Sequence, residues 1–209
     1  MATAAVTLVA VQAPGATAET TYSAHWTFDE TGGSTAYDVS GNGNDGTSSH
    51  VVGDGSGYTF NGTDSRVVVP DSPTLRPGSA DFSYGVSLTM TQPPAKGETY
   101  EVLSKGTAGN KGGNFKIEIK NSSGKAKARC VFNSILPNGK RANAAQLGKA
   151  SLADGRPHTV TCIKTATGVT TRIDALAAIT KTVAGGLGSV TNTAPVGLGA
   201  KAQQDSQTS

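Results

Sequence analysis

The strongest signal for the fold of this chain is residues 26–46, Trp26-Thr-Phe-Asp-Glu-Thr-Gly-Gly-Ser-Thr-Ala-Tyr-Asp-Val-Ser-Gly-Asn-Gly-Asn-Asp-Gly46. It joins an aromatic strand-like segment to a loop crowded with glycine and with short side chains that carry oxygen. Glycine, asparagine and aspartate are the residues that turns favour, because they tolerate positive φ or hydrogen-bond the local backbone. The stretch therefore predicts a strand followed by an ordered, polar loop.

The same alternation of strand and turn continues along the chain. Turn dipeptides such as Asn61-Gly62, Asn138-Gly139 and Asp154-Gly155 separate short runs rich in β-branched and aromatic residues. Evidence for helix is thin, and Ala142–Leu147, the best candidate for a helical turn, lacks an apolar stripe. This spacing predicts an all-β sandwich. The predicted strands are Tyr22–Phe28, Arg66–Val69, Phe82–Thr91, Tyr100–Leu103, Phe115–Lys120, Lys125–Phe132, His158–Lys164 and Val169–Ile173.

The size and composition of the chain suit one sandwich domain. A chain of 209 residues falls within the range of single all-β domains. Only 5% of the residues are aromatic, so the core must consist mainly of Val, Ile, Leu and Ala around the single tryptophan. The net charge of +3 is small and no run of Lys and Arg occurs, which argues against a nucleic-acid partner.

The N-terminal residues are apolar and small. Residues 1–18, which end in Ala16-Thr-Ala18, are typical of the apolar part and cleavage site of a secretory signal peptide. They lack the basic residues that open such signals, as expected of a signal truncated at its start. The alternative is a disordered alanine-rich tail. We therefore expect a secreted protein with its folded domain at residues 19–209 and no membrane span, since no later stretch is apolar for about 18 residues.

Cys130 and Cys162 are the only cysteines, and each lies within a predicted strand. An even pair in an exported chain indicates a disulfide, because oxidising compartments favour one. The alternative is two buried free thiols. No Cys-x-x-Cys motif occurs, so neither a redox nor a zinc role is supported.

The clearest hairpin prediction combines two alternating segments. Phe115–Lys120 and Lys125–Cys130 are separated by Asn121-Ser-Ser-Gly124, which we expect to form the turn and to place Glu118 opposite Lys127. The apolar side chains of both strands then face the core, and Lys116, Lys120, Lys125, Lys127 and Arg129 share the other face. If that face is concave, Lys116, Lys127 and Arg129 would bind a uronate or sulfated polysaccharide. The alternative is an ordinary solvated sheet face.

These motifs together resemble laminin-G-like, concanavalin A-like jelly-roll domains of secreted bacterial proteins. The resemblance rests on Trp26–Glu30, the loop that ends at Gly46 and Phe60-Asn-Gly-Thr-Asp-Ser-Arg-Val-Val-Val69. It implies a sandwich of two antiparallel sheets that binds a carbohydrate or an extracellular protein surface. A third match, His158–Lys164 followed by Val169–Asp174, departs from the family pattern at Pro157 and Ala175, which puts the tight turn after Asp174 in doubt.

The C-terminal part departs further from the pattern. Asn192–Lys201 is similar to the penultimate strand of the family, but the expected final strand does not follow. A jelly roll without that strand would expose an unpaired edge. Either the domain is truncated or the fold closes in a different way.

The loop after Asp38 is the candidate metal site. The resemblance implies a structural Ca²⁺ held by Asp38 and its neighbours, with Asn42 and Asp45 as further ligands, because Ca²⁺ requires several oxygen ligands. The alternative is that these side chains only satisfy the backbone of the turn. An EF-hand is excluded, since the twelfth position is Ser49 and no helical pattern flanks the loop.

Catalytic patterns are weak throughout the chain. The E-x-D-x-x-E strand of laminarinase-like glycosidases is absent, as are a G-x-S-x-G elbow and a histidine metal motif. His25, His50 and His158 stand alone in sequence and are expected to be packing or surface residues. We therefore expect a non-catalytic binding module. The alternatives are a glycoside hydrolase or polysaccharide lyase of the same superfamily, and a structural module of the cell envelope.

Overall fold

The computed structural model describes residues 22–200 and 202 together with the backbone of residues 2–8, and it is built from strands. One 3₁₀ turn, Pro73–Leu75, interrupts them. No helix in these ranges is long and apolar enough to cross a membrane. The strands are β1 (Ala2–Leu8), β2 (Ala24–Trp26), β3 (Thr35–Ala36), β4 (Gly46–Ser49), β5 (Val52–Gly53), β6 (Tyr58–Phe60), β7 (Arg66–Val69), β8 (Phe82–Met90), β9 (Thr99–Lys105), β10 (Asn114–Ser122), β11 (Lys125–Ile135), β12 (Arg141–Leu147), β13 (Pro157–Thr165), β14 (Gly168–Ile173), β15 (Ile179–Thr182) and β16 (Val196–Leu198).

The strands form two antiparallel sheets of eight strands each. Sheet A has the order β15-β14-β13-β8-β1-β6-β5, with β2 paired to the free part of β1. Sheet B has the order β12-β11-β10-β9-β16-β7-β4-β3. Strands that are distant in sequence lie side by side in both sheets, as in a jelly roll. The prediction of an all-β, antiparallel jelly-roll sandwich is therefore confirmed.

A single apolar core fills the space between the sheets. Trp26 is fully buried in it, and its indole Nε1 donates to the carbonyl oxygen of Asn44 at 2.8 Å. Phe28 stacks on Tyr58 with ring centroids 4.6 Å apart. The strand and loop of the opening stretch are therefore joined through the core, because the indole of the strand binds the backbone of the loop.

Strand β1 lies in the middle of sheet A. Its backbone pairs with β8 on one side, from Ala2 opposite Met90 to Thr7 opposite Gly85, and with β6 and β2 on the other side. Among the described residues that follow β16, none forms a strand. A strand from the N-terminal part of the chain therefore occupies the middle of sheet A.

This strand falls within the residues predicted as a secretory signal. Residues 9–18, with the cleavage site, lie outside the described residues, so the signal peptide and the domain boundary at residue 19 stay predictions. A protein cleaved after Ala18 would lose β1 and leave the inner edges of β8 and β6 unpaired.

Two sequence expectations are corrected by sheet pairing. Ala142–Leu147 is part of strand β12, not a helical turn, because Ala142 and Ala144 alternate into the core beside β11. The tight turn after Asp174 does form, with the amide of Leu176 donating to the carbonyl oxygen of Ile173 at 3.0 Å. Asp174 adopts a φ of 51° there, which aspartate tolerates better than most residues.

Among the described residues, the lysines Lys105 and Lys164 are fully buried. The Nζ of Lys105 donates to Asp71 Oδ1 and to the carbonyl oxygen of Ala194, both at 2.6 Å. Asp71 also accepts from Nε of Arg76 at 2.9 Å. The Nζ of Lys164 donates to the carbonyl oxygens of Ser79 and Ala80. These contacts compensate the cost of burying an ammonium group.

Candidate functional site

The outward face of β10 and β11 carries the residues predicted to bind a ligand. Lys116, Lys127 and Arg129 point away from the core on adjacent strands of sheet B, as the alternation predicts. The opposite face is buried, with exposures of 0 to 1%, and consists of Phe115, Ile117, Ile119, Ala126, Ala128 and Cys130. The prediction of which side chains face the core is confirmed.

The register of this hairpin differs from the prediction by two residues. Ser122 pairs with Lys125, so the loop contains only Ser123 and Gly124, which have φ values of 54° and 76°. Positive φ at both loop residues is the geometry of the tight hairpin turn that matches strand twist. The predicted four-residue turn is wrong, and Glu118 lies opposite Arg129 instead of Lys127. Because a slip of two residues preserves the side-chain alternation, the faces remain as predicted.

A cluster of ion pairs occupies the centre of this face. The Nζ of Lys116 lies 2.6 Å from Glu118 Oε1 and 3.1 Å from Glu101 Oε2. Nη1 of Arg129 lies 3.3 Å from Glu118 Oε2. Burial opposes protonation of Lys116, but the two carboxylates outweigh it and raise the pKa of its ammonium group. The two cations and two carboxylates of this cluster compensate one another. The contact of Glu101 with Lys116 could not be predicted from the sequence, because Glu101 lies on a different strand, β9.

The second charged group on the face is a patch of lysines near the hairpin turn, which we call the lysine patch: Lys120, Lys125 and Lys127. Lys120 lies directly opposite Lys127, and Lys125 is two residues from Lys127 on the same face. Within the described part of the chain, none of the three is in an ion pair. Like charges placed directly opposite each other repel, so this patch presents uncompensated positive charge.

The two carboxylates of the central cluster converge as an active-site pair would. Glu118 Oε1 and Glu101 Oε2 both contact one Nζ, at 2.6 and 3.1 Å, so they lie no more than about 5.7 Å apart. Retaining glycosidases separate their carboxyl groups by roughly 5 to 5.5 Å. In this protein, however, the ammonium of Lys116 occupies the space between them, where a glycosidic oxygen would have to lie.

The loop predicted to bind calcium is held by hydrogen bonds to Asp38. Its Oδ1 accepts from the amides of His25 and Ser40, each at 2.9 Å. Its Oδ2 accepts from Ser40 Oγ and from the amide of Asn44, also at 2.9 Å. Burial raises the pKa of Asp38, but these hydrogen bonds outweigh burial and lower it.

Asn42 and Asp45, the other two predicted calcium ligands, lie in the same loop as Asp38, but the three side chains do not form a cation site together. Asp45 Oδ1 accepts from the amide of Asp38 at 2.7 Å, and Asn42 Nδ2 donates to the carbonyl oxygen of Tyr22 at 2.8 Å. A carboxylate offers about four acceptor positions, and protein donors fill four on Asp38. This arrangement does not fit Ca²⁺ at Asp38, and calcium binding stays a prediction that requires the loop to rearrange.

Cys130 and Cys162 form a disulfide that connects β11 of sheet B to β13 of sheet A. Their Cα atoms are 5.6 Å apart and both residues are fully buried. The bond thus ties the strand that carries Arg129 to the opposite sheet.

The histidines have partners that the sequence pattern did not indicate. Nδ1 of His158 lies 2.7 Å from Asp174 Oδ2, and Nε2 lies 3.0 Å from Asp154 Oδ1. Burial lowers the pKa of His158, but the two carboxylates outweigh it and raise it. His50 Nδ1 contacts Asp64 at 3.0 Å at the surface. His158 therefore joins the loop before β13 to the turn after β14, a structural role.

The known structures that are similar to this chain share little sequence identity with it. The chain matches no family model and no curated protein sequence. Similar solved structures include domains LG4-5 of the mouse laminin α1 chain, with 19% identity and a TM-score of 0.39 over 62% of this chain. This chain spans 31% of the length of that laminin chain.

Two bacterial structures are similar at the same level. One is a Bacteroides ovatus mixed linkage glucan GH16 protein in complex with a G4G4G3G product, with 12% identity, a TM-score of 0.34 and coverage of 85% of this chain and 80% of that one. The other is LamAcat from Zobellia galactanivorans, with 12% identity, a TM-score of 0.35 and coverage of 98% and 85%. At these values the similarity carries no argument about ligand or activity.

Proposed function

We propose that this protein is a secreted, non-catalytic binding module that recognises an acidic polysaccharide with the outward face of β10 and β11. The observation that carries the proposal is the lysine patch, in which Lys120 faces Lys127 without a carboxylate partner. A chain of uronate or sulfate groups would relieve the repulsion between these ammonium groups. The buried disulfide supports an extracellular location, because such bonds persist in oxidising compartments.

The residues of this face contribute unequally. Lys116 contacts two carboxylates and is largely buried, so it organises the cluster and contributes little charge to a ligand. Among the described residues, Arg129 forms an ion pair with Glu118 alone, and its side chain remains 36% exposed, so other N–H donors of its guanidinium are open to a ligand carboxylate. The binding residues are therefore Lys120, Lys127 and Arg129, with Lys116 in a supporting role.

Charge reversal on the face tests the proposal. Affinity for polygalacturonate and dextran sulfate is measured by calorimetry for the parent, Lys120→Glu and Lys127→Glu, with laminarin as the neutral glycan. We expect each reversal to weaken binding at least tenfold at low salt and the loss to shrink as salt rises. The matched control is Lys181→Glu, an exposed lysine of β15 in the other sheet. Equal binding by the parent and both patch variants would refute the proposal.

A carbohydrate-active enzyme is the second candidate, and the convergence of Glu101 and Glu118 favours it. Hydrolysis would require Lys116 to leave the space between the carboxylates. Release of reducing ends from laminarin and mixed-linkage glucan is the assay, with Glu118→Gln as the inactive reference. We expect no release by the parent protein. Turnover that Glu118→Gln abolishes would establish the enzyme instead.

A further inference from the structure

Three asparagines form a row across the same face, at the end opposite the lysine patch. Asn114 of β10 lies directly opposite Asn133 of β11, and Asn133 lies directly opposite Asn143 of β12. The alternation of β10 and β11 places Asn114 and Asn133 on the side of Lys116 and Arg129. We call these three residues the asparagine row.

The row is ordered from a buried end to an exposed end. Asn114 is fully buried, Asn133 is half-buried and Asn143 is exposed. Nδ2 of Asn133 donates to Oδ1 of Asn114 at 2.7 Å, which fixes the orientation of the Asn133 amide. Within the described part of the chain, the carbonyl oxygen of that amide and the side-chain amide of Asn143 have no hydrogen-bond partner, so a ligand can bind them.

The amide of Asn114, at the buried end of the row, lacks a hydrogen-bond acceptor in the described part of the chain. Nδ2 of Asn114 is inaccessible to solvent and has no hydrogen-bond partner among the described residues. A buried donor without a partner is costly and rare in proteins. A hydroxyl group, of water or of a sugar, carries the acceptor that this donor lacks, and it reaches the donor once the Asn114 amide turns toward the exposed end of the row.

The asparagine row and the lysine patch lie at opposite ends of the same strands. Asn114 and Lys120 are six residues apart on one strand, which corresponds to about 20 Å at the rise of an extended strand. The central ion-pair cluster lies between them. An extended polymer lying along β10 and β11 would contact the lysine patch at one end and the asparagine row at the other.

We propose that the asparagine row is a subsite for sugar hydroxyl groups, and that the ligand is an acidic polysaccharide long enough to reach both the row and the lysine patch. This inference rests on the proposed function and deepens it. The lysine patch recognises charge, and the row recognises the uncharged hydroxyl groups of a sugar further along the same chain. The affinity should therefore increase with the length of the oligosaccharide until both ends of the face are occupied.

Length-defined oligogalacturonates of two and eight residues test this inference by calorimetry. Asn143→Ala should weaken binding of the octamer about 3- to 10-fold, the effect of one hydrogen bond. It should not change binding of the dimer, which cannot reach the row from the patch. Raising NaCl from 50 to 150 mM should leave the Asn143→Ala ratio unchanged while it reduces the effect of Lys127→Glu, because salt screens charge but not hydrogen bonds between neutral groups.

Two further variants complete the design. Asn133→Ala should lose at least as much affinity for the octamer as Asn143→Ala, and its thermal midpoint shows whether it is folded. Thr47→Ala, an exposed position on distant strand β4 of the same sheet, is the matched control and should bind like the parent.

The possible failures are distinguishable. If Lys127→Glu loses octamer binding while both asparagine variants stay within twofold of the parent, the subsite is refuted and the proposed function stands. If the parent binds neither the oligogalacturonates nor dextran sulfate, both proposals are refuted.

Discussion

The buried ion pair between Lys105 and Asp71 gives the sharpest prediction about stability. Lys105 is fully buried and its ammonium has two partners, the carboxylate of Asp71 and the carbonyl oxygen of Ala194. Asp71→Asn keeps the shape of the side chain and removes its charge, which leaves the ammonium buried with only neutral partners. Breaking one partner of a buried ion pair costs roughly 3 to 5 kcal/mol.

We expect Asp71→Asn to lower the free energy of unfolding by about 3 kcal/mol, the lower end of that range, because the Ala194 carbonyl remains. For a domain of this size the loss corresponds to a fall of about 6 to 12 °C in the thermal midpoint. Urea unfolding followed by fluorescence of Trp26, the only tryptophan and fully buried, measures it directly.

A compensating variant separates the charge effect from general disruption. Lys105→Met in the Asp71→Asn background removes the uncompensated ammonium and should recover most of the loss, since apolar replacements of buried ion pairs are often neutral. Arg76→Gln is the control, because the Arg76 side chain is 35% exposed and water screens its pair with Asp71, so this variant should lower the free energy of unfolding much less than Asp71→Asn does. If Asp71→Asn unfolds within about 0.5 kcal/mol of the parent, or if Lys105→Met recovers nothing, the reasoning is refuted.

Three more predictions concern the disulfide, a histidine and the polar loop. Replacing Cys130 and Cys162 by alanine should cost about 3.7 kcal/mol in urea unfolding, the chain-entropy value for the 32-residue separation, and a loss below about 1 kcal/mol would contradict it. The pKa of His158 is raised in the folded state, so its contacts with the two carboxylates stabilise the fold fully below about pH 6.5. This stabilisation is lost as the pH rises through the higher pKa of the folded state. His158→Gln should therefore flatten that part of a plot of thermal midpoint against pH. The thermal midpoint should be the same in calcium as in chelator, because four protein donors already bind the Asp38 carboxylate. A higher midpoint in calcium would show that the loop rearranges to bind the ion.

Side-chain alternation predicts faces better than it predicts partners. The core residues of β10 and β11 follow from their period of two, whereas the pairing of Glu118 with Arg129 depends on the length of the turn. Ser123 had to adopt positive φ for the two-residue turn, and serine gives a weaker signal for that geometry than asparagine or glycine. A shift of two residues in the register leaves the alternation of apolar and polar residues unchanged, so the hydrophobic pattern cannot reveal it.

Contacts between strands that are distant in sequence could not be predicted, because they depend on the order of the strands in the sheet. Glu101 reaches Lys116 only because β9 lies beside β10, and a bulge between Ile117 and Glu118 shifts the register there. The asparagine row likewise requires the order of three neighbouring strands. In the Asp38 loop the sequence predicted the oxygens, but the direction of the surrounding amides decides whether those oxygens are available to a cation.

The pairing of β1 also has a consequence for the order of events during synthesis. β1 is made before β8, and β8 ends at Met90, more than 80 residues later. At about 5 to 20 residues per second, the ribosome needs roughly 4 to 17 s to complete that partner. During this interval the apolar segment emerges without the strand that pairs with it along most of its length. The central strand of sheet A is therefore among the last to find a complete partner, although it precedes β8 in the chain.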